Sequence, residues 1–108
     1  MMDHDPKVSP AAQADIDDTA EYISIDNVDA GYRFLVGVDE TLDRLIDMPG
    51  LGTPREYLNN RLSGLRSVPI RGFRNWLLFY RVVQDHVEVI RVLHGARDLA
   101  ALFLDEPA

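Results

Sequence analysis

The sequence predicts an α+β layer sandwich: an N-terminal α-helical hairpin packed on a small antiparallel β-sheet of three main strands, followed by a short C-terminal helix. Three observations lead there. Residues 10–47 place apolar side chains at helical spacing with one break, at Asp26-Asn27. Residues 65–93 switch to strand-like runs rich in aromatic and β-branched types, and Leu99, Leu102 and Phe103 return to helical spacing. With 108 residues in all, one core and one domain spanning 1–108 are expected.

Ser9-Pro10 opens the first helix, serine as the N-cap and proline at the first helical position, where a missing N–H costs nothing. Ala12, Ile16, Ala20 and Ile23 then form one apolar stripe, with Gln13, Asp17, Asp18 and Glu21 in water. Asp26-Asn27 interrupts and recaps the chain, and a second helix runs from Val28 to about Asp47. Phe34, Leu35, Val38, Leu42, Leu45 and Ile46 lie on one side of it, and Arg33, Glu40, Asp43, Arg44 and Asp47 on the other. So short a connection makes a helical hairpin. Pro49-Gly50 ends it.

Residues 51 to about 64 follow neither period and read as a loop with room for one helical turn near Tyr57. Strands are expected at Leu65–Ile70, Trp76–Val83 and His86–Leu93, the last two joined as a hairpin by Gln84-Asp85. Pro69 cannot donate to a ladder, so its strand belongs at an edge or a bulge. Only Lys7-Val8 is available for a strand before the first helix. The terminal helix begins near Asp98 and stops before Pro107.

The net charge of −7 is unevenly spread: residues 1–50 hold twelve acids against Lys7, Arg33 and Arg44, whereas residues 51–108 hold eight arginines against six acids. Such a split predicts two faces that attract different partners, though a solvated acidic helix face gives the same count. The chain has no cysteine, which excludes disulfides and thiolate-bound metal, and no apolar run approaches the roughly 20 residues of a membrane span. With an acidic N-terminus unlike a signal peptide, this predicts a soluble, cytoplasmic protein with no membrane association. His4, His86 and His94 have no metal-ligand spacing, there is no glycine-rich phosphate loop, and no serine has a plausible base, so neither metal nor cofactor is expected.

Alternation in the middle strand puts Trp76, Leu78, Tyr80 and Val82 on one face and Leu77, Phe79, Arg81 and Val83 on the other. Both faces are apolar, and the helical hairpin can cover only one; the terminal helix or another molecule must meet the second. In the last strand Val87, Val89, Arg91 and Leu93 share a face by the same rule. An arginine there must lie at the rim or hold a carboxylate. Either it pairs with an acid, or it joins a partner-facing cationic edge. His94 and Gly95 suit a strand end and turn, and Asp98 the first turn of a helix, which leaves Arg97 as the member of His-Gly-Ala-Arg-Asp without a structural duty.

The order SPAAQADIDDTAEYI, a second helix ending in MPGLGTPR, then LRSVPIRGFRNWLLFYRV and VEVIRVLHGARDL resembles the RelE/ParE superfamily of type II toxins, ParE-like members most closely. It covers nearly the whole chain, its most specific parts being FYRV and IRVLHGARD. The resemblance implies a toxin neutralised by a cognate antitoxin, of ParD-like ribbon-helix-helix type, in a hetero-oligomer. An apolar second sheet face and an open sheet edge would receive a tail that folds on binding, by groove packing or strand addition.

Two activities divide the superfamily: RelE-like members cut ribosome-bound mRNA, and ParE-like members poison DNA gyrase. Where the ribonucleases place lysines this chain has Ser67, Val68 and Pro69, and where they place an arginine it has Leu77. Its terminal helix offers Leu102 and Phe103 but no tyrosine, leaving His94 and Arg97 as the remaining candidates for proton transfer. The expectation is a binding inhibitor without catalytic residues or sequence-specific nucleic-acid contact of its own. Arg91, His94 and Arg97, with Arg71 and Arg74, would face the target, and Leu77, Phe79, Arg81 and Val83 the antitoxin. A ribosome-dependent endoribonuclease and a degenerate, non-toxic antitoxin binder are the alternatives.

Overall fold

The computed structural model describes residues 5–55 and 64–95. In chain order these form β1 (Lys7–Val8), α1 (Pro10–Asp26), α2 (Val28–Asp47), β2 (Thr53–Pro54), β3 (Arg66–Ile70), β4 (Phe73–Val83) and β5 (His86–His94). The strands make one sheet in the order β1-β5-β4-β3-β2. All neighbours are antiparallel except β1, which runs parallel to β5. The expected α+β class and N-terminal helical hairpin are present, and the sheet is mixed, with five strands where three main ones are read from the sequence. Of the two short strands, β1 is the one for which the sequence leaves room at Lys7-Val8, and β2 is the addition, two residues long and too short to show alternation. The expected terminal helix, beginning near Asp98, and the helical turn near Tyr57 fall outside the described residues.

Local capping explains why the helices begin and end where they do. The Ser9 side chain accepts the Ala12 N–H at 3.0 Å and its hydroxyl donates to the Ile90 carbonyl at 2.9 Å, so the cap of α1 is also bound to β5. Asn27 serves both helices. Its N–H closes α1 on the Ile23 carbonyl at 3.1 Å, and its Oδ1 opens α2 by accepting the Ala30 N–H at 3.0 Å. The helices then lie so close that a Cβ on Gly31 would stand 2.9 Å from the Ala20 carbonyl oxygen.

The core lies between this hairpin and one sheet face. Ala12, Ile16 and Ala20 of α1 and Phe34, Val38 and Leu45 of α2 bury against Val68, Ile70, Leu78, Tyr80, Val87, Val89 and Val92. Phe34, fully buried, meets Phe73 edge-on at 5.2 Å and Trp76 at 6.0 Å. The opposite face carries a second buried cluster, Leu65, Phe79 and Leu93, with Leu77 and Ile90 packed against it. The two-face reading of β4 therefore holds residue by residue from Trp76 to Tyr80.

In β5 the reading by alternation is corrected. Phe79 pairs with Arg91 but Tyr80 with Val89, so Ile90 is an extra residue opposite the Phe79/Tyr80 step. The bulge brings Val89 and Val92, three apart, into the same helix-side core, sends Leu93 to the opposite cluster and takes Arg91 out of the Val87/Val89 face. A second irregularity falls between Pro69 and Ile70, beyond the part of β3 that β2 covers. That is where a residue without an N–H is tolerated.

Candidate functional site

Two groups of residues require placement: the cationic set at the end of the sheet and the set on the face opposite the helices. The β3–β4 turn carries Arg71, with Arg74 just beyond it in β4, and the position of the turn is fixed from α2. The Arg71 N–H donates to Thr41 Oγ1 at 3.0 Å, while the Thr41 hydroxyl donates to the Gly37 carbonyl at 2.7 Å. A side chain on Gly37 would collide with the Arg71 carbonyl oxygen, so glycine allows the turn to sit directly on the helix. The Arg71 guanidinium reaches Glu40 at 3.0 Å and remains exposed. Arg74 is exposed one residue before Asn75, whose carbonyl accepts the Gly95 N–H at 2.8 Å. In the adjoining pair, Trp76 opposes His94 and the rings meet edge-on at 5.2 Å.

Arg71, Arg74 and His94 therefore gather at one end of the sheet. Arg71 and Arg74 also line an open cleft of about 330 Å³ together with Arg44, Thr53, Ser67 and Pro69. Three guanidinium groups around hydroxyls and the rim of a strand make a surface that attracts an anionic or strongly polar partner. Periodicity places Arg44 on the wet side of α2; only the fold shows that this side meets the β3–β4 turn.

Arg91 is placed differently. Its Nε donates to Asp15 Oδ2 at 2.8 Å and its Nη2 to Oδ1 at 3.1 Å, a two-pronged pair in which both side chains are largely covered. Asp15 Oδ2 also accepts the Val92 N–H at 3.0 Å. Of the two readings of this arginine, pairing with an acid is the one observed. Arg97 lies outside the described residues.

On the other sheet face, Phe79 is fully buried and Leu77 half-buried against the Leu65–Phe79–Leu93 cluster. Arg81 bonds Glu88 across the hairpin, with Nε and Nη2 each 3.0 Å from Oε1, and Val83 is half-buried near the β4–β5 turn. Arg81 and Glu88 oppose each other in register, so this pair and Leu77 form the more accessible part of that face.

The loop after α2 is held by Tyr80, for which alternation predicts only a face of β4. The Tyr80 hydroxyl donates to the Pro49 carbonyl at 2.7 Å and accepts the Gly52 N–H at 2.8 Å. Arg66 adds a bond to the Gly52 carbonyl at 2.7 Å. Burial pushes the Tyr80 phenol above its ordinary value of 10.0, against the smaller opposing effects of the Gly52 N–H and Arg66. The MPGLGTPR segment thus has a structural explanation.

A family model described as the ParE toxin of the type II toxin-antitoxin system, parDE, matches residues 7–99. This chain belongs to the ParE toxin family. Among solved structures, a chain titled "Chromosomal ParDE TA system from P. aeruginosa" is similar to it in fold, with a TM-score of 0.63 at 16% identity, over 85% of this chain and 98% of that one. No curated protein matches the sequence. In this ParE-family toxin the match runs from β1 past the end of β5, and so includes both groups of residues described above. Among the described residues no helix is long and apolar enough to cross a membrane.

Proposed function

We propose that this ParE-family toxin works in the cytoplasm by adhesion: it binds DNA gyrase, stabilises the cleaved gyrase–DNA complex and performs no covalent chemistry of its own. A cognate antitoxin of ParD-like, ribbon-helix-helix type neutralises it in a hetero-oligomer. The observation that carries this reading is the structural use of the sheet positions where RelE-like ribonucleases are expected to carry bases. Ser67 is buried and accepts the Arg55 Nε–H at 2.7 Å, Val68 is buried in the core and Pro69 sits at the β3 irregularity. Leu77 packs against the second cluster. Side chains committed to packing offer no proton to a ribose hydroxyl.

The cationic end of the sheet supplies the target-facing group: Arg71, Arg74 and His94, with Arg97 beyond Gly95. Arg91 belongs to the same group in sequence and acts on it through Asp15, by holding the end of β5 in place. Leu77, Phe79, Arg81 and Val83 form the antitoxin face, with Phe79 as its buried support and Leu77 and Arg81 as contacts.

Purified toxin added to gyrase, supercoiled plasmid and ATP should accumulate linear DNA after protein denaturation, and added antitoxin should abolish it. Unchanged supercoiling and cleavage would refute the proposal. Mapping mRNA ends after induction provides the contrast, since codon-positioned cuts would identify the ribonuclease activity instead.

A further inference from the structure

Among the described residues, the most exposed large apolar side chains cluster where the two helices join, away from both groups assigned above. Tyr22 is 63% exposed and Ile25 77%, in the last turns of α1; Val28 is 73% and Tyr32 69% exposed, in the first turns of α2. Tyr22 and Ile25 share one side of α1 at i, i+3. Val28, Tyr32 and the partly exposed Leu35 share one side of α2 at i, i+4, i+7. This segment is also one-signed: residues 17–32 carry Asp17, Asp18, Glu21, Asp26 and Asp29 and no lysine or arginine.

Isolated exposed apolar residues need no explanation, but four on a rigid junction do. The link is the single residue Asn27, capped in both directions, and Gly31 locks α2 onto the Ala20 carbonyl beneath it. A tip held in this way loses little freedom on docking, which is the property of a binding anchor. Its side chains are also of the anchoring kind, two tyrosines with two branched aliphatics between them.

We propose that this helical-hairpin tip is a second contact with the target, inserted into an apolar pocket on the target protein that is ringed by lysine and arginine. The assignment rests on the gyrase-binding reading and adds a surface to it. Charge selects the occupant. Five carboxylates with Arg33 as the nearest cation in sequence leave the tip net negative, which disfavours a phosphate backbone and the same tip on a second copy of the chain. Burying them is favourable only against a cationic rim. The face proposed above for the antitoxin carries the second cluster, on the opposite side of the sheet from the helices, which leaves the tip to the target.

The test uses whole toxin with two double variants. Glu21→Lys with Asp26→Lys reverses the rim charge, and the lysine at position 26 suits the C-terminal end of α1 better than the native acid, so loss of folding is not expected. Ile25→Ser with Val28→Ser removes the apolar point. Each should raise the toxin concentration needed to trap gyrase cleavage complexes about tenfold or more. Antitoxin affinity and melting temperature should stay at the wild-type level. Trapping at wild-type concentrations by both variants overturns the assignment, as does a parallel loss of antitoxin binding, or a wild-type dimer in gel filtration that the variants dissolve. If the wild type itself traps nothing, the gyrase reading fails first and this contact fails with it.

Discussion

Asp15, early in α1, holds Arg91 by two hydrogen bonds and the neighbouring Val92 N–H by a third, across 76 and 77 positions of sequence. One carboxylate thus joins helix to strand and satisfies a backbone donor just past the Ile90 bulge, where β1 no longer pairs with β5. Replacing Asp15 with alanine removes both of these bonds from a largely covered guanidinium and a third from the Val92 N–H. Replacing Arg91 leaves Asp15 its bond to Val92. Asp15→Ala should therefore cost about 2–4 kcal/mol and Arg91→Ala less, read from urea denaturation midpoints. Equal losses would show that the Val92 bond contributes nothing.

Tyr80→Phe removes the donor to Pro49 and the acceptor for Gly52 and should cost about 1–3 kcal/mol. The same residue predicts a pH dependence. Its folded-state pKa lies above the unfolded 10.0, so the native state keeps the proton that the unfolded chain releases. The associated stability is fully present below about pH 10 and declines as pH rises from there through the higher folded-state value. Stability curves of wild type and Tyr80→Phe measured at increasing alkaline pH should converge; parallel curves would remove Tyr80 from the account.

Gln84, at φ 56°, is the non-glycine residue with a left-handed backbone among those described, at the first position of the β4–β5 turn. Gln84→Gly should relieve that strain and raise stability by up to about 1 kcal/mol in thermal melts, while gyrase trapping stays unchanged. A lower melting temperature would mean that the glutamine side chain contributes more than its backbone costs.

Arg74→Ala and Arg97→Ala each remove one charge from the proposed target-facing end. Each should raise the concentration needed for cleavage trapping by roughly tenfold, about 1.4 kcal/mol of binding, with the fold intact by circular dichroism. Wild-type potency in the double variant would move the contact elsewhere.

What could be read from the sequence and what could not divides by range. The Ser9 and Asn27 caps were legible because capping involves residues three apart, and the two faces of β4 because alternation runs unbroken from Trp76 to Tyr80. The faces of β5 were not, because the bulge at Ile90 exists only in the pairing of two strands. The role of Asp15 has no local mark, since its partner lies 76 residues away. The cationic site was half legible: Arg71 and Arg74 could be proposed from their position beside the strands, whereas Arg44 joins them only through the packing of α2 on the β3–β4 turn. The exposed hairpin tip was hidden for the opposite reason, since Ile25 and Val28 read as ordinary helix residues until the accessible surface is known.

The outer rim of the sheet has a further consequence. Lys7-Val8, the Ser9 N–H and hydroxyl, and the Asp15 carboxylate take up β5 from Glu88 to Val92, and at the other rim two residues of β2 are followed by Pro69 in β3. Among the described residues the rim strands offered to neighbouring molecules are only two residues long, with a proline just beyond one of them, so they make a poor template for ladder growth from molecule to molecule. Concentrated protein should accordingly resist fibril formation, and loosening Asp15 from β5 should weaken that resistance along with the fold.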